Sequence, residues 1–349
     1  MKKLFVLGDM HFSGRRDWDH ESFKNFINWF KNYEFGKYED CELLQLGDVT
    51  ENAQNYGDTY ALATEFFLCA LSKFCKIYVI GGNHCEKYDT EKNKEYFSTE
   101  FLTELSSNIK TIYKEEVFSV LGGKLSVLAL PYKYTAIPLD DYYNTKLPQD
   151  IYDDHYEIIC GHEMIYDENF KIAGGIKLKK FNYDHAVFGH IHNRFGNNAS
   201  MYTGSIMPFR KSEEKTELPR CIKVYSEDNI ELPEIVLPIF RQYHVVDFRQ
   251  ENPILYKKHS GQVVHVYEFT NCINDTIAFN KYPDVYIKKS TAVNIDDIDI
   301  DIDDENFDKN ILLEDDFIIL EQMCKEQGIT LKRKTKALLK ELLTKNERK

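Results

Sequence analysis

The chain has 349 residues, of which 43% are hydrophobic and 29% are charged, and these proportions are typical of a folded globular protein rather than a disordered one. A formal net charge of −13 at pH 7 argues against a protein that binds nucleic acid with its whole surface. The apolar runs are far shorter than the roughly 20 residues that a membrane-spanning helix requires, so we expect no membrane segment.

The cysteines and the first residues indicate the compartment. Eight cysteines are scattered along the sequence without a CxxC pair, which is typical of buried, reduced thiols. Only four apolar residues lie between Lys3 and Gly8, too few for a secretion signal. We therefore expect a protein of the cytoplasm.

Five short apolar runs each end at a glycine that is followed by a polar residue able to bind a metal. Runs of Val, Ile, Leu and Phe closed by glycine predict strands that are buried on both faces. The runs, with the polar residues after them, are Lys3–His11, Leu43–Asp48, Ile77–His84, Ile158–His162 and Ala186–His192.

Two amphipathic segments separate the first three of these strands. Glu21–Tyr33 and Thr59–Phe74 have apolar residues at helical spacing. The order β-α-β-α-β then brings successive polar residues to the carboxyl ends of neighbouring strands, where open α/β sheets bind their ligands.

The middle of the chain predicts further strands. Val117–Leu121 and Leu125–Leu130 flank Gly122-Gly123 and predict a hairpin. Closing strands are predicted at Met201–Ser205 and Arg220–Tyr225, so we place the first domain at residues 1–238. A small α+β capping domain is predicted over residues 239–292, with strands at Gln242–Phe248, Val263–Phe269 and Pro283–Ile287.

The last part of the chain changes character. Seven acidic residues lie between Asp296 and Glu305; their alternation with isoleucine also fits a strand, but the charge density favours a flexible linker over residues 293–306. Residues 307–349 contain two amphipathic segments, Phe307–Gln327 and Lys334–Leu343. These predicted helices either fold back on the main domain or bind a partner.

The residues after the strands suit phosphoester chemistry. A phosphodiester repels hydroxide and has a poor leaving group, and two divalent cations roughly 3.5–4 Å apart overcome both obstacles. Taken singly, each aspartate is as well explained by a helix N-cap and each histidine by a structural role. Together they offer the nitrogen and oxygen ligands that such a pair needs: Asp9, His11, Asp48, Asn83, His162, His190 and His192.

In this order, the motifs resemble the five signatures of the calcineurin-like metallophosphoesterases. The motifs are Asp9-x-His11, Gly47-Asp48, Gly82-Asn83-His84, Gly161-His162 and Gly189-His190-x-His192, and the resemblance covers roughly residues 1–225. It implies an α/β fold, a two-sheet β-sandwich flanked by helices.

The resemblance also implies roles for the motif residues. Asp48 would bridge two cations, with Asp9, His11 and His192 completing one site. Asn83, His162 and His190 would complete the other. His84 would protonate the leaving oxygen or stabilise the transition state, with a role as a further ligand as the alternative.

Two details favour a nuclease within this superfamily. The segment Gly47–Asn52 lacks the arginine with which protein phosphatases bind a phosphomonoester. Tyr202-x-Gly204-Ser205, followed by Glu213-Glu214, resembles the closing segment of SbcD-type DNA repair nucleases, the meiotic-recombination nuclease family.

This second resemblance implies an activity and a partner. It implies a Mn²⁺-dependent 3′-to-5′ exonuclease and single-strand endonuclease, with Mg²⁺ as the alternative ion. The terminal elements look like those of compact bacteriophage members, which implies that residues 307–349 hold an SbcC-type ABC ATPase, in a host bacterial cytoplasm if the gene is phage-borne. A homodimer is left open. A nucleotide or small-molecule phosphodiesterase and a non-catalytic scaffold are the alternatives.

The sequence departs from the family pattern near His84. Glu51 stands where the family usually has the aspartate that orients this histidine, and we expect Glu51 to take that role. Cys85 replaces a common aspartate. Basic residues near the motifs either contact DNA phosphates or are ordinary surface charges: Arg15, Arg16, Arg194, Arg210 and Lys211.

Overall fold

The computed structural model describes residues 1–13, 17–51, 57–89, 94–135, 137–166, 175–197, 199–209, 213, 218–244, 263–266 and 285–287. By its internal contacts the chain divides into residues 1–289 and residues 290–349, and every described residue lies in the first unit. The predicted linker (293–306) and terminal helices (307–349) therefore lie outside the described residues. Among the described helices, none combines the length and the apolar character that crossing a membrane requires.

The helices are α1 (Asp17–Asn32), α2 (Gly57–Leu71), α3 (Phe101–Leu105), α4 (Leu139–Lys146) and α5 (Asp150–Asp153). The strands are β1 (Lys3–Leu7), β2 (Cys41–Gln45), β3 (Lys76–Ile80), β4 (Glu86–Asp89), β5 (Lys94–Phe97), β6 (Ile109–Ile112), β7 (Glu116–Val120), β8 (Leu125–Leu130), β9 (His155–Gly161), β10 (Ile165–Tyr166), β11 (Ile176–Lys177), β12 (Asn182–Phe188), β13 (Phe195–Gly196), β14 (Ser200–Tyr202), β15 (Cys221–Ser226), β16 (Glu231–Val236), β17 (Arg241–His244), β18 (Val263–Val266) and β19 (Val285–Ile287).

Two six-stranded sheets form the body of the protein. The first sheet has the order β16-β15-β1-β2-β3-β6, in which β1, β2, β3 and β6 run parallel. The second has the order β13-β14-β12-β9-β8-β7, with β8, β9, β12 and β14 parallel. The prediction of an α/β fold with two sheets flanked by helices is confirmed.

Strand β1 shows why the predicted strands read as continuous apolar runs. Leu4 and Val6 enter the core between the two sheets, whereas Phe5 and Leu7 enter the core between the first sheet and its helices. Because successive side chains of a strand point to opposite faces, a strand covered on both faces needs apolar residues at every position.

The helices cover the outer faces of the sheets. Phe26 and Phe30 of α1 and Phe66 of α2 pack together against the first sheet, with ring centroids 4.7–6.0 Å apart. On the outer face of the second sheet, Tyr143 of α4 is buried with Ile159 of β9. The predicted helices Glu21–Tyr33 and Thr59–Phe74 are thus confirmed with earlier starts.

Predicted strands elsewhere are also confirmed with adjusted bounds. The hairpin of β7 and β8 turns at Leu121, Gly122 and Gly123, all with positive φ. Strands β17, β18 and β19 form a parallel sheet within the predicted capping domain. Phe240, just before β17, packs on Phe26 at 5.4 Å between ring centroids, so the start of this segment joins the main core. The boundary at residue 238 stays a prediction.

Candidate metal centre

Polar residues from both sheets meet at the carboxyl ends of the parallel strands. Asp9 follows β1, Asp48 follows β2 and His162 follows β9. His162 Nε2 lies 3.0 Å from Asp48 Oδ2, and His162 Nδ1 lies 3.8 Å from Asp9 Oδ1. All three side chains are buried. The sandwich therefore joins residues that are more than 100 positions apart in the sequence.

One group of donors surrounds Asp9. His11 Nε2 lies 3.9 Å from Asp9 Oδ2 and 3.6 Å from Asp48 Oδ2. His192 Nε2 lies 3.7 Å from Asp9 Oδ2. These are the residues that the family resemblance assigns to the first cation, and we call Asp9, His11 and His192 the first group.

A second group of donors surrounds Asn83. The Oδ1 atom of Asn83 lies 3.1 Å from His162 Nε2 and 3.0 Å from His190 Nδ1. We call Asn83, His162 and His190 the second group. Asp48 Oδ2 contacts nitrogens of both groups and so occupies the position between them that a bridging ligand requires.

Glycines give the donors room to approach. A Cβ atom at Gly47 would lie 2.3 Å from Nδ1 of His162, and a Cβ atom at Gly82 would lie 2.2 Å from Oδ1 of Asp48. Either contact is far inside van der Waals distance. Gly47 and Gly82 are thus required by the crowding of ligands behind them.

Three of the predicted ligands have left-handed backbone conformations. The φ angles of His11, Asp48 and His190 are 47°, 47° and 82°. Residues other than glycine adopt positive φ at a cost of about 1–3 kcal/mol, and such residues cluster at functional sites.

His84 is held by its backbone and by its ring. Its backbone N–H donates to Asp48 Oδ1 at 2.9 Å, and its Nδ1 contacts the backbone carbonyl of Glu51. A carbonyl oxygen accepts only, so Nδ1 carries the proton and Nε2 is free for chemistry. His84 also joins His11 and Asp48 in a cluster whose potential ligand atoms lie within 4.8 Å of one another.

The carboxylate of Glu51 has a different partner from the one predicted. Glu51 Oε2 lies 2.8 Å from Nδ1 of His11, whereas only the carbonyl of Glu51 contacts His84. The backbone N–H of Glu51 donates to the carbonyl of Phe12 at 3.1 Å, which places Glu51 beside the loop that carries His11. The assignment of this carboxylate to His84 is therefore wrong.

Glu213 is a site residue that the sequence analysis missed. Its Oε1 lies 2.8 Å from Nδ1 of His192, and its Oε2 accepts the backbone N–H of Phe209 at 2.8 Å. The only sequence signal was its position in the segment that resembles the SbcD-type nucleases, which gave it no role.

Arg194 is engaged inside the protein. Its guanidinium donates to both carboxylate oxygens of Glu234 at 2.8 and 2.6 Å and to the carbonyl of Pro219 at 2.7 Å. The side chain is buried, so the proposed contact with a DNA phosphate is replaced by a structural ion pair. The other basic residues proposed for DNA contact lie outside the described residues: Arg15, Arg16, Arg210 and Lys211.

Cys85 belongs to the core rather than to the chemistry. It is fully buried among the apolar residues between the first sheet and its helices, and burial raises the pKa of its thiol to about 11. An aspartate here would place a charge in an apolar core.

The carboxylates dominate the electrostatics of the first group. Burial by itself would lower the pKa of His11, but the carboxylates of Glu51, Asp48 and Asp9 outweigh burial and raise it to about 9. Burial likewise opposes ionisation of Glu51, yet His11 lowers the pKa of that carboxyl to about 2. The carboxylates thus favour the charged form of His11, and His11 favours the charged form of Glu51.

The two histidines of the second group differ. Burial would lower the pKa of His162, but Asp48 and Asp9 raise it to about 9. Burial, reinforced by His162, lowers the pKa of His190 to about 4. Despite burial, His162 holds the pKa of Asp48 well below its usual range.

The donor set fits divalent cations. His11 Nε2 is buried without a hydrogen-bond partner among the described residues and faces carboxylate oxygens 3.6 and 3.9 Å away. Ligand atoms bound about 2.0–2.2 Å from one cation are separated from each other by about 3–4 Å. Mixed imidazole and carboxylate ligation is compatible with Mn²⁺ and with other first-row ions.

Comparisons with known proteins agree with this chemistry. Residues 2–194, more than half of the chain, match the family of calcineurin-like phosphoesterases. No curated protein matches the sequence.

Several solved structures are distantly similar. Phosphopantetheinyl hydrolase from Mycobacterium tuberculosis is 13% identical over 59% of this chain and 88% of its own, with a TM-score of 0.33. Protein AQ665 of unknown function from Aquifex aeolicus is 16% identical over 52% and 88%, with a TM-score of 0.26. A cold-active protein tyrosine phosphatase from a psychrophilic Shewanella species is 13% identical over 67% and 80%, with a TM-score of 0.29. At these TM-scores the similarities carry no argument about substrate.

The family match begins just before β1 and ends two residues beyond His192. It therefore covers every residue that the sequence predicts as a ligand. The chain belongs to the calcineurin-like phosphoesterases, a family of metal-dependent phosphoester hydrolases.

Proposed function

We propose that this protein is a DNA nuclease of the SbcD type that hydrolyses phosphodiester bonds with two divalent cations. The proposed ion is Mn²⁺, with Mg²⁺ as the alternative. Its proposed activities are 3′-to-5′ exonuclease and single-strand endonuclease, used in DNA end processing, repair or recombination in the cytoplasm. The observation that carries the two-cation part is the position of Asp48 Oδ2 between the first and second groups.

The chain's own residues supply binding, orientation and a proton. When bound, the cations provide the nucleophile and neutralise charge on the phosphoryl oxygens. His84 Nδ1–H is held by the Glu51 carbonyl, so Nε2 is the atom that can take up a second proton and, in the imidazolium form, deliver that proton to the leaving oxygen. The hydrogen bond from the His84 backbone to Asp48 fixes this histidine next to the ligand between the two groups.

The choice of DNA is supported by sequence features. The segment Gly47–Asn52 has no arginine for a phosphomonoester, and residues 202–205 with 213–214 resemble the SbcD-type closing segment. Glu213, from that segment, contacts His192 directly. The resemblance thus concerns residues that adjoin the metal centre.

The proposed partner is an SbcC-type ABC ATPase that binds residues 307–349. The acidic stretch before them would act as a tether, and amphipathic helices need an apolar surface to pack against. Removing residues 306–349 is expected to keep the intrinsic nuclease activity and abolish binding of the ATPase in a pull-down. Retention of the complex by the truncated chain would refute this docking role.

Cleavage assays separate the proposed function from its alternatives. We expect Mn²⁺-dependent degradation of end-labelled duplex DNA and nicking of single-stranded circles. Hydrolysis confined to bis(p-nitrophenyl) phosphate or to nucleotides would indicate a small-molecule phosphodiesterase. Intact metal binding without hydrolysis of any ester would indicate a scaffold.

A further inference from the structure

The histidines of the two groups differ in what contacts their second ring nitrogen. In the first group, Nδ1 of His11 lies 2.8 Å from a Glu51 oxygen, and Nδ1 of His192 lies 2.8 Å from a Glu213 oxygen. A carboxylate at Nδ1 fixes the proton there and directs the Nε2 lone pair toward Asp9 and Asp48.

The second group lacks this arrangement in the described contacts. Nδ1 of His162 faces the backbone carbonyl of Leu46 at 2.7 Å. His190 turns Nδ1 itself toward Asn83 Oδ1 at 3.0 Å. In the described contacts, neither histidine has a carboxylate oxygen within hydrogen-bond distance of Nδ1, since Asp9 Oδ1 lies 3.8 Å from that atom of His162. The oxygen donor of this group is a neutral amide.

The carboxylate of Glu213 is itself fixed. Glu213 Oε2 accepts the N–H of Phe209, and the backbone carbonyl of Glu213 accepts a guanidinium hydrogen of Arg220 at 2.8 Å. The Phe209 ring packs edge-on against His11, with centroids 4.9 Å apart, and against His192 at 5.5 Å. The first group is thus enclosed by an aromatic wall that Glu213 anchors.

An anionic partner makes an imidazole a better metal ligand, and loss of such a partner costs 10–100-fold in metal affinity. We propose that Glu51 and Glu213 are positioning residues that make the first group the tighter cation site, so that it fills before the second group. This ordering rests on the proposed two-cation function and specifies how the centre assembles.

Titration of the full-length, metal-free protein with Mn²⁺, without any substrate, tests the ordering. Calorimetry should show two separate binding events. Glu213→Gln and Glu51→Gln keep a hydrogen-bond acceptor of the same size and remove the charge. Each variant should lower the Mn²⁺ affinity of the tight binding event, which we assign to the first group, by about tenfold. The affinity of the weak event should stay the same.

Two further variants show which group of ligands accounts for each Mn²⁺ binding event. His190→Ala removes a donor of the second group and should eliminate only the weak event. Glu163→Gln is the control for a glutamine substitution close to a ligand, because Glu163 lies beside His162 and accepts the backbone N–H of Lys133 rather than contacting an imidazole. Burial raises the pKa of Glu163 to about 8, so this variant changes the side chain while removing little charge at neutral pH. It should leave both events unchanged.

Nitrogen-15 spectra of the histidines in the metal-free wild-type protein, recorded above pH 9, supply a readout that does not depend on activity. His11 and His192 should show protonated Nδ1 and unprotonated Nε2. Thermal unfolding of each variant checks that it is folded.

Three results would overturn the ordering: equal weakening of both events in the glutamine variants, loss of the tight event in His190→Ala, or an effect of Glu163→Gln as large as that of Glu213→Gln. Failure of the nuclease function is separable, because two ordered binding events without DNA cleavage would keep this inference and remove the function.

Discussion

The two sheets contribute different chemistry to the metal centre. The ends of β1, β2 and β3 in the first sheet carry every oxygen donor of the predicted ligand set, namely Asp9, Asp48 and Asn83. The ends of β9 and β12 in the second sheet carry only imidazoles, namely His162, His190 and His192. Neither sheet alone offers a complete set of ligands, so the centre depends on the packing that brings the sheets together.

The apolar core between the sheets sets that packing. Leu4, Val6 and Leu44 of the first sheet meet Val127 and Ile158 of the second in one buried cluster. Facing sheets lie about 10 Å apart, and side chains at their ends span that gap. The carboxylates of one sheet and the imidazoles of the other then stabilise each other, as their shifted pKa values show.

The largest effect is expected at the contact between the sheets. Asp48→Asn removes the charge that faces both His11 and His162. We expect phosphoester hydrolysis to fall on the order of 10³-fold and the second Mn²⁺ to bind weakly or not at all. Steady-state rates and calorimetry measure the two losses. Asp140→Asn is the control, since Asp140 pairs with Lys177 and Lys180 instead, and it should keep full activity.

The next largest effect is expected for His84, and it distinguishes a general acid from a metal ligand. His84→Ala should lower the rate of DNA cleavage by about 10²–10⁴-fold with unchanged Mn²⁺ affinity, because a general acid is lost and the ligands remain. Calorimetry and cleavage rates are compared on the same preparation. Weakened Mn²⁺ binding would instead make His84 a ligand, consistent with its proximity to His11 and Asp48. His155→Ala, which removes a histidine bonded to Asp184, should have no effect on either quantity.

A smaller effect is expected where the backbone of the first sheet approaches a ligand of the second. Gly47 and Gly123 both have positive φ, 102° and 87°, but only a Cβ atom at Gly47 would meet His162, whereas Gly123 has open space. Each alanine variant should lose about 1–2 kcal/mol of unfolding free energy through backbone strain. Gly47→Ala should in addition lose Mn²⁺ affinity and activity, and equal behaviour of the two variants would contradict the steric role.

The sequence predicted the features that depend on local periodicity. Leu4 to Leu7 are all apolar because alternate side chains enter two different cores. At three of the five runs, the glycine that follows marks the point where a ligand needs space: Gly47, Gly82 and Gly189. Strand ends, glycines and the polar residues after them are adjacent in the chain, so a single sequence reveals them.

The contacts behind the ligands could not be predicted in this way. Glu51 was assigned to His84, since both positions follow family motifs, but the path of the backbone beside Phe12 directs its carboxylate to His11. Glu213 reaches His192 across 21 residues of sequence. Arg194 follows His192 by two residues in the sequence, yet its partner Glu234 lies 40 residues away. Such pairs depend on tertiary packing, which leaves no periodic signal.

The smallest effect concerns protons at the same contacts between the sheets. In the metal-free protein the pKa values of His11 and His162 are raised to about 9 from an ordinary 6.5. Their contribution to stability is therefore complete below about pH 6.5 and is lost as the pH rises through about 9. Across this interval we expect the unfolding free energy of the metal-free protein to fall by no more than about 3 kcal/mol, and its melting temperature to fall with it.

Metal binding should show the opposite trend over the same interval. A cation needs the Nε2 lone pairs of His11 and His162, so protons must leave before it binds, and Mn²⁺ affinity should increase from pH 6.5 to 9. The rise in melting temperature caused by saturating Mn²⁺ should grow accordingly. Differential scanning calorimetry with and without Mn²⁺ at several pH values measures both trends. If the melting temperatures with and without Mn²⁺ changed in parallel with pH, protons and cations would not share these nitrogens, and the sheets would be joined by ion pairs alone.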